Sequence, residues 1–150
     1  MVSKLFIAAE PDRAYFGQKD AAQVAVLRRM TQDLRLGVEI VVCPIIRDSD
    51  GLALSSRNIY LSAEERKQAL TLSHAVRRVE ALFKNGVREP AVLLSAAREV
   101  FSTEPAVRID YLELVDWNNL LPIDFAAPGT LFAVAAYVGC TRLIDNTILN

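Results

Sequence analysis

The sequence is poor in the residues that most often carry redox, metal or acid–base chemistry. Only two cysteines, Cys43 and Cys140, and one histidine, His74, occur among its 150 residues. The cysteines lie far apart and lack Cys-x-x-Cys spacing, which argues against a zinc site or a redox pair. We expect both to be small buried residues in a reducing compartment, and His74 to be a structural residue of a helix. No metal site and no histidine acid or base is predicted.

The sequence also lacks an excess of charge and a long apolar run. Its 17 Lys and Arg nearly balance its 18 Asp and Glu, which argues against a general nucleic-acid binder. No apolar stretch approaches the ~20 residues of a membrane span, and the N-terminus does not have the form of a secretory signal. We therefore expect a cytoplasmic protein of one compact domain or two small ones, without a nucleic-acid or membrane partner.

The first part of the chain has the pattern of a strand–helix–strand unit. Between Asp20 and Leu36 apolar residues recur every three or four positions, as on an amphipathic helix, and Gly37 is expected to end it. The predicted elements are the end of a helix at Val2–Ala9, a strand at Arg13–Phe16 with a turn at Gly17, the helix Asp20–Leu36 and a β-branched strand at Val38–Cys43. At this spacing the two strands are expected to be parallel, with a right-handed crossover.

The rest of the chain does not alternate strands with helices. Ser62 and Glu65 have the spacing of a capping box, which opens a helix that extends to about Lys84. The further predicted elements are a helix at Pro90–Ser102 and strands at Arg108–Val115, Thr130–Val138 and Arg142–Ile148. Two helices followed by three strands indicate a small α+β unit with an antiparallel sheet. We therefore predict two domains, residues 1–60 and 61–150, with a boundary near residues 58 to 62.

Two short strings carry most of the functional information, Phe16-Gly17-Gln18-Lys19-Asp20 and Leu54-Ser55-Ser56-Arg57-Asn58. Each string places a cation beside small or hydroxylated residues. Lys19 and Arg57 can form charge-assisted hydrogen bonds with phosphate oxygens. Gly17 lets the backbone approach a ligand closely, and the serine hydroxyls add further donors. This chemistry suits a polyphosphate, provided that the fold joins the two strings.

The predicted parallel sheet gives the two strings a common edge. Ligands bind beyond the carboxyl ends of parallel strands, and Gly17–Asp20 leads from a strand into a helix N-terminus, which favours an anion. Asp20 can cap that helix or accept hydrogen bonds from ribose hydroxyls. Gln23 can orient a polar small molecule or be a plain surface residue. Ile46, in the loop after the second strand, can present its backbone to a flat base, whereas Leu54–Arg57 can also be a surface loop with an N-cap serine.

The same residues resemble those of the pantothenate synthetase (pantoate–β-alanine ligase) family. The resemblance rests on Pro11-Asp12-Arg13-Ala14-Tyr15-Phe16-Gly17-Gln18-Lys19-Asp20, Gln23, Asp50-Gly51-Leu52-Ala53-Leu54-Ser55-Ser56-Arg57-Asn58, Tyr60-Leu61 and Thr141-Arg142-Leu143-Ile144-Asp145-Asn146. It extends through essentially the whole chain. It implies an α/β fold, in which a partial Rossmann-like piece of the nucleotidylyl-transferase type is followed by a small α+β C-terminal lid domain.

The resemblance also implies a site and a reaction. The implied ATP site consists of Gly17, Gln18, Lys19, Asp20, Ile46, Leu54, Ser55, Ser56 and Arg57, with Ile46 at the adenine. Gln23 is implied to bind pantoate. Lys19 and Arg57 would stabilise charge on the phosphates, with Ser55 and Ser56 as hydrogen-bond donors. The implied reaction joins pantoate to β-alanine through pantoyl adenylate, consumes ATP with its Mg²⁺, and releases AMP and pyrophosphate.

Members of the family also have a longer nucleotide-binding half with a Met-Gly string and a His-x-Gly-His motif, and neither occurs in these 150 residues. We therefore expect the chain to correspond to the C-terminal half of the family's enzymes. In one hypothesis it contributes ATP- and pantoate-binding residues to a ligase. In the other it is a non-catalytic module, truncated or a split subunit, that self-associates as a homodimer or otherwise but does not turn over alone. A nucleotidylyl transferase for another acceptor is disfavoured by Gln23 in its matching context.

Overall fold

Every residue from Met1 to Asn150 is described by the structure, a computed structural model. The helices are α1 (Val2–Ala9), α2 (Ala21–Asp33), α3 (Ala63–Lys84) and α4 (Pro90–Ser102). The strands are β1 (Arg13–Gly17), β2 (Glu39–Cys43), β3 (Val107–Asp116), β4 (Thr130–Val138) and β5 (Thr141–Leu149). Single 3-10 turns occur at Gln18–Asp20 and Ser56–Tyr60. The chain divides into two compact units, Met1–Ile45 and Ile46–Asn150.

In the first unit, β1 and β2 form a parallel two-stranded sheet, as the spacing of the sequence predicts. The register places Arg13 opposite Glu39 and Gly17 opposite Cys43. Both strands therefore end at the same edge of this small sheet. The helix α2 between them buries Val24 and other apolar side chains at helical spacing, so burial of this face stabilises the strand–helix–strand unit.

The helix α2 ends at Asp33, earlier than the sequence predicts. Arg35 has a φ of 49°, and the N–H of Leu36 donates to the carbonyl of Thr31 at 3.1 Å. This is the bond pattern of a Schellman motif, in which glycine usually takes the left-handed position. Arg35 takes it here, so the prediction that Gly37 ends the helix is wrong. The hydrogen bonds of the motif stabilise the left-handed conformation of Arg35. Nothing in the sequence pattern marks this arginine as the end of a helix.

In the second unit, an antiparallel sheet of order β3-β4-β5 packs one face against α3 and α4. Alternate residues of β4 enter the core, and these are Phe132, Val134, Ala136 and Val138, each 0% exposed. From the helices, Val79 of α3 and Leu93 of α4 are also 0% exposed in the same core. The predicted α+β architecture is confirmed.

The capping box predicted for α3 is present. The hydroxyl of Ser62 accepts from the N–H of Glu65 at 3.2 Å, and the carboxylate of Glu65 accepts from the N–H of Ser62 at 2.8 Å. These hydrogen bonds lower the pKa of Glu65 below its ordinary value. Two of the N–H groups that have no partner inside the helix are satisfied in this way.

The two units meet in sequence between Ile45 and Ile46, earlier than the domain boundary that we predict near residues 58 to 62. The segment that follows Ile45 belongs with the second unit because Arg47 pairs with Asp145 of β5 at 2.7 Å. The assignment of residues 1–60 to a nucleotide-binding domain and of residues 61–150 to a lid domain stays a prediction.

Cys140 is exposed and Cys43 is half-buried, so the prediction that both are buried is wrong. Cys140 lies with Gly139 in the short turn between β4 and β5, where a side chain points away from the core. His74 lies on the exposed side of α3. None of the helices is both long enough and apolar enough to cross a membrane.

Replacing Leu93 by alanine should destabilise the second unit by about 2–5 kcal/mol, because it leaves a cavity among buried side chains. Leu93 is 0% exposed, whereas Leu121, in the connection from β3 to β4, is 61% exposed. The same truncation at Leu121 should change stability by less than about 0.5 kcal/mol. Urea unfolding followed by circular dichroism measures both variants, and equal effects would contradict the central position of Leu93.

Candidate functional site

The first string forms the turn that leads from β1 into α2. Gly17 is the last residue of β1, and Gln18–Asp20 make one 3-10 turn directly before α2. The string therefore lies where the carboxyl end of a parallel strand meets a helix N-terminus. Backbone N–H groups and the helix dipole favour an anion at such a position.

Gly17 contributes open space rather than an unusual backbone conformation. Its φ of −72° and ψ of 132° are those of extended chain, so the prediction of a turn at this residue is wrong by one position. No atom lies within 4 Å of the point where a β-carbon would be. A ligand can therefore approach the backbone here more closely than it could beside a residue with a side chain.

Asp20, Lys19 and Gln23 lie within one helical turn of each other. Asp20 occupies the N-cap position of α2, yet its side chain makes no capping hydrogen bond and is exposed. Helix capping, one of the two roles left open by the sequence, is therefore not observed, and the ribose contact stays a prediction. Lys19 is half-buried and interacts with other groups of the chain, whereas Gln23 is exposed.

The second string begins at the last residue of a short β-hairpin formed by residues 46–54, here called the 46–54 hairpin. The N–H of Leu54 donates to the carbonyl of Ile46 at 2.8 Å, and that of Asp48 to the carbonyl of Leu52 at 2.9 Å. Gly51 at its tip has a φ of 96°, which favours glycine. Ile46 and Leu54 are therefore cross-strand neighbours, and they are 64% and 53% exposed.

Ser55 is the N-cap of the 3-10 turn that carries Arg57. Its hydroxyl oxygen accepts from the N–H of Arg57 at 3.2 Å, so the N-cap role that the sequence leaves open is observed. A hydroxyl can accept and donate at the same time, and the O–H of Ser55 can still donate to a ligand. Ser56 and Arg57 are exposed. A groove beside them is lined by Arg57, Tyr60, Glu65, Gly139, Cys140, Thr141 and Arg142.

An ion pair that is not predicted from the sequence joins the 46–54 hairpin to the sheet. Arg47 donates through Nη1 and Nη2 to the two carboxylate oxygens of Asp145, at 2.7 and 2.9 Å. The side chain of Asp145 is 2% exposed and that of Arg47 is 27% exposed. The hydrogen bonds from Arg47 to Asp145 raise the pKa of the guanidinium, although burial opposes this shift.

The sequence contains one signal for this ion pair. Asp145 interrupts the apolar pattern of its strand, between Leu143 and Leu149 on the face that packs against the helices. A carboxylate in the core needs a cation and hydrogen bonds to offset its loss of hydration. The pattern indicates that a partner exists, but it does not identify Arg47.

A second set of ion pairs links the 46–54 hairpin to α3. Arg66 donates through Nη2 to Asp48 at 2.7 Å and through Nε to Asp50 at 2.9 Å. The other carboxylate oxygen of Asp50 accepts from the N–H of Leu52 at 3.1 Å. Hydrogen bonds from Leu52 and then from Arg66 lower the pKa of Asp50 below its ordinary value.

The predicted site residues thus form two groups. Gly17–Asp20 and Gln23 lie together on the turn between β1 and α2, in the unit Met1–Ile45. Ile46 and Leu54–Arg57 lie together on the 46–54 hairpin and the turn after it, in the unit Ile46–Asn150. The convergence of the two groups on one ATP molecule stays a prediction.

A sequence profile described as "Pantoate-beta-alanine ligase" matches residues 1–148. The chain belongs to this ligase family. The pantothenate synthetase of Acidobacterium capsulatum is 57% identical over 149 residues, which cover 99% of this chain and 50% of that protein. The chain therefore spans about half the length of the curated relatives it matches. The membership of this family that the sequence resemblance predicts is confirmed.

Solved structures of the ligase family have the same fold. The pantothenate synthetase of Thermus thermophilus superimposes with a TM-score of 0.93 at 43% identity, covering 98% of this chain and 53% of that one. The pantoate-beta-alanine ligase of Francisella tularensis superimposes with a TM-score of 0.67 at 24% identity, covering 98% of this chain and 47% of that one. At 24% identity, the similarity to the Francisella tularensis protein shows only a shared fold.

Replacing Asp50 by asparagine should remove a pH-dependent contribution to stability. The folded pKa of Asp50 lies below its ordinary value, so the ionised carboxylate stabilises the native state above pH about 4. That stabilisation is lost as the pH falls through the lowered pKa. The thermal midpoint of the wild type should therefore exceed that of Asp50→Asn at neutral pH, and the difference should shrink below pH about 4. A difference that stays constant with pH would contradict this role.

Proposed function

We propose that the chain is the part of a pantothenate synthetase that binds ATP and pantoate. The reaction is the ATP-dependent condensation of (R)-pantoate with β-alanine, which gives pantothenate, AMP and pyrophosphate. The observation that carries the proposal is the string Gly17–Asp20, which joins the carboxyl end of β1 to the N-terminus of α2 in a chain of this ligase family.

In the first step, a carboxylate oxygen of pantoate attacks the α-phosphorus of ATP. The bond from this phosphorus to the bridging oxygen of pyrophosphate breaks, which leaves pantoyl adenylate and pyrophosphate. Positioning and charge stabilisation carry such a step, since no covalent bond to a side chain is needed. Lys19 and Arg57 stabilise the charge on the phosphates, together with the Mg²⁺ that accompanies ATP, and Ser55 and Ser56 donate hydrogen bonds.

In the second step, the amine of β-alanine attacks the acyl carbon of the adenylate. The carbon–oxygen bond to AMP breaks, an amide forms, and the amine loses one proton. A free carboxylate is a poor acyl donor, and conversion into a mixed anhydride with AMP overcomes this. We assign no residue of this chain to the binding of β-alanine.

The remaining residues bind the rest of the two substrates. The open space beside Gly17 suits close approach of a phosphate to the backbone of Gly17 and Gln18. Asp20, whose carboxylate does not cap α2, accepts hydrogen bonds from the ribose. Ile46 and Leu54, adjacent and exposed on the 46–54 hairpin, contact the adenine. Gln23 orients pantoate.

Two further observations support this proposal. The family match over residues 1–148 supports the class of substrates, and the Francisella tularensis ligase, solved in complex with beta-gamma ATP and beta-alanine, shares the fold. Cys43 and Cys140 are free thiols, which suits a protein of the reducing cytoplasm.

Replacing Lys19 by alanine should slow adenylate formation by roughly 10²–10³-fold, the usual cost of losing one well-placed donor to developing charge. The effect on pantoate binding should be much smaller, because the proposed contact of Lys19 is with phosphate. Pantoate-dependent pyrophosphate exchange, in an active assembly that contains this chain, measures the rate. Lys4→Ala, at an exposed lysine of α1, is the matched control. Equal losses of rate and of pantoate affinity would argue against the phosphate role.

A second candidate is a non-catalytic module that self-associates. In the first unit, β1 and β2 pair only with each other, and Leu5, Ile7 and Tyr15 are 60%, 62% and 63% exposed. Unpaired strand edges and exposed apolar side chains promote association. The chain also spans about half the length of its relatives, so we infer that it does not turn over alone.

Two measurements test the second candidate. Incubation of the chain alone with pantoate, β-alanine and ATP should give no pantothenate, and turnover near that of a full-length relative would contradict the module. Sedimentation should show dimers or larger species that grow with concentration. A stable monomer at high concentration would contradict self-association.

A further inference from the structure

We propose that Asp145 is a positioning residue, which holds the 46–54 hairpin through Arg47 and thereby sets the position of Ser55, Ser56 and Arg57. For ATP binding, the inference rests on the proposed function, because the position of these residues matters only if they bind phosphate. The effect of Asp145 on the hairpin itself can be measured without any ligand.

The burial of Asp145 is the first argument. It lies opposite Val134 in the register of β4 and β5, on the face of the sheet that forms the core, and its side chain is 2% exposed. Burying an ion pair often stabilises a fold no better than apolar residues of similar volume. Stability alone therefore gives little reason for a carboxylate at this position, whereas a precise orientation of its partner does.

The second argument is that Arg47 holds more than one part of the hairpin. Its Nη1 donates to Asp145 at 2.7 Å and also to the carbonyl of Gly51 at 3.1 Å. The backbone of Arg47 forms an antiparallel bridge with Ala53. One guanidinium therefore fixes the first strand of the hairpin, its tip and, through the bridge, its second strand relative to β5.

The third argument is that the hairpin is joined directly to the residues that carry the hydroxyls and the cation. Ser55 follows Leu54, the last residue of the hairpin, and Asn58 donates through Nδ2 to the carbonyl of Ala53 at 3.1 Å. Arg57 lies between these attachments. A shift of the hairpin relative to β5 is therefore transmitted to Ser55, Ser56 and Arg57 through the chain and through Asn58.

Charge alone does not fix the orientation of Arg47. Glu80 of α3, which accepts a hydrogen bond from Thr147, also contributes to the raised pKa of Arg47. If Asp145 becomes neutral, the attraction of Arg47 to Glu80 remains, but the bidentate geometry with Asp145 is lost. The planar fork of arginine then has no matching carboxylate at β5.

The test compares Asp145→Asn with Asp33→Asn in the full chain. Asp33 is the matched control, because its carboxylate also pairs with an arginine, Arg29, at 2.8 Å but lies exposed at the end of α2. Amide hydrogen exchange reports on the hairpin, and calorimetric titration with MgATP reports on the site. Titration is done far below the unfolding temperature, so that a loss of stability alone does not change the affinity.

Asp145→Asn should accelerate exchange of the Leu54 and Asp48 amides and weaken MgATP binding, each by roughly tenfold, as expected for loss of a charge-assisted hydrogen bond. Exchange of the Val134 amide in β4 should stay near the wild-type rate, and Asp33→Asn should leave the affinity within about twofold. If Asp145→Asn does not fold, Arg47→Lys tests the same point, since it keeps the charge and removes the bidentate geometry.

Unchanged exchange at Leu54 and Asp48 would overturn the inference. Faster exchange with unchanged MgATP affinity would also overturn it, and would reduce Asp145 to a purely structural residue. If the wild-type chain does not bind MgATP, the proposed function fails for this chain, while the exchange rates still decide whether Asp145 holds the hairpin.

Discussion

The ion pair of Arg47 with Asp145 is the interaction on which the second half of the candidate site depends. The carboxylate is buried in the core of the second unit, and the guanidinium belongs to the hairpin that carries the exposed Leu54–Arg57 string. Arg66 adds a more exposed link from α3 to Asp48 and Asp50. Exposed pairs contribute little to stability, so the buried pair is expected to set the position of the hairpin.

Local sequence signals predicted most of the fold. The capping box at Ser62 and Glu65, the proline at the start of α4 and the β-branched run of β2 each act through contacts between near neighbours in sequence. The end of α2 was not predicted, because Arg35 takes a left-handed conformation that Schellman hydrogen bonds stabilise. Composition points to Gly37 instead. The exposure of Cys140 was not predicted either, because it follows from the position of Cys140 in the turn between β4 and β5 and not from the apolar character of cysteine.

The candidate site was predicted less completely than the fold. Its two strings are recognisable because they combine a cation with small or hydroxylated residues, and because they resemble those of the ligase family. The ion pair that holds the second string joins residues 98 positions apart, and no local pattern pairs them. The capping role of Ser55 and the uncapped carboxylate of Asp20 likewise required the backbone geometry.

We propose that both strings bind the same ATP molecule. Titration of the ¹⁵N-labelled chain with MgATP, followed by the amide resonances of Gly17–Asp20 and Leu54–Arg57, tests it most directly. If one ATP molecule contacts both strings, both sets of resonances should shift along curves that share one Kd. Shifts in only one set, or two clearly different values of Kd, would contradict it.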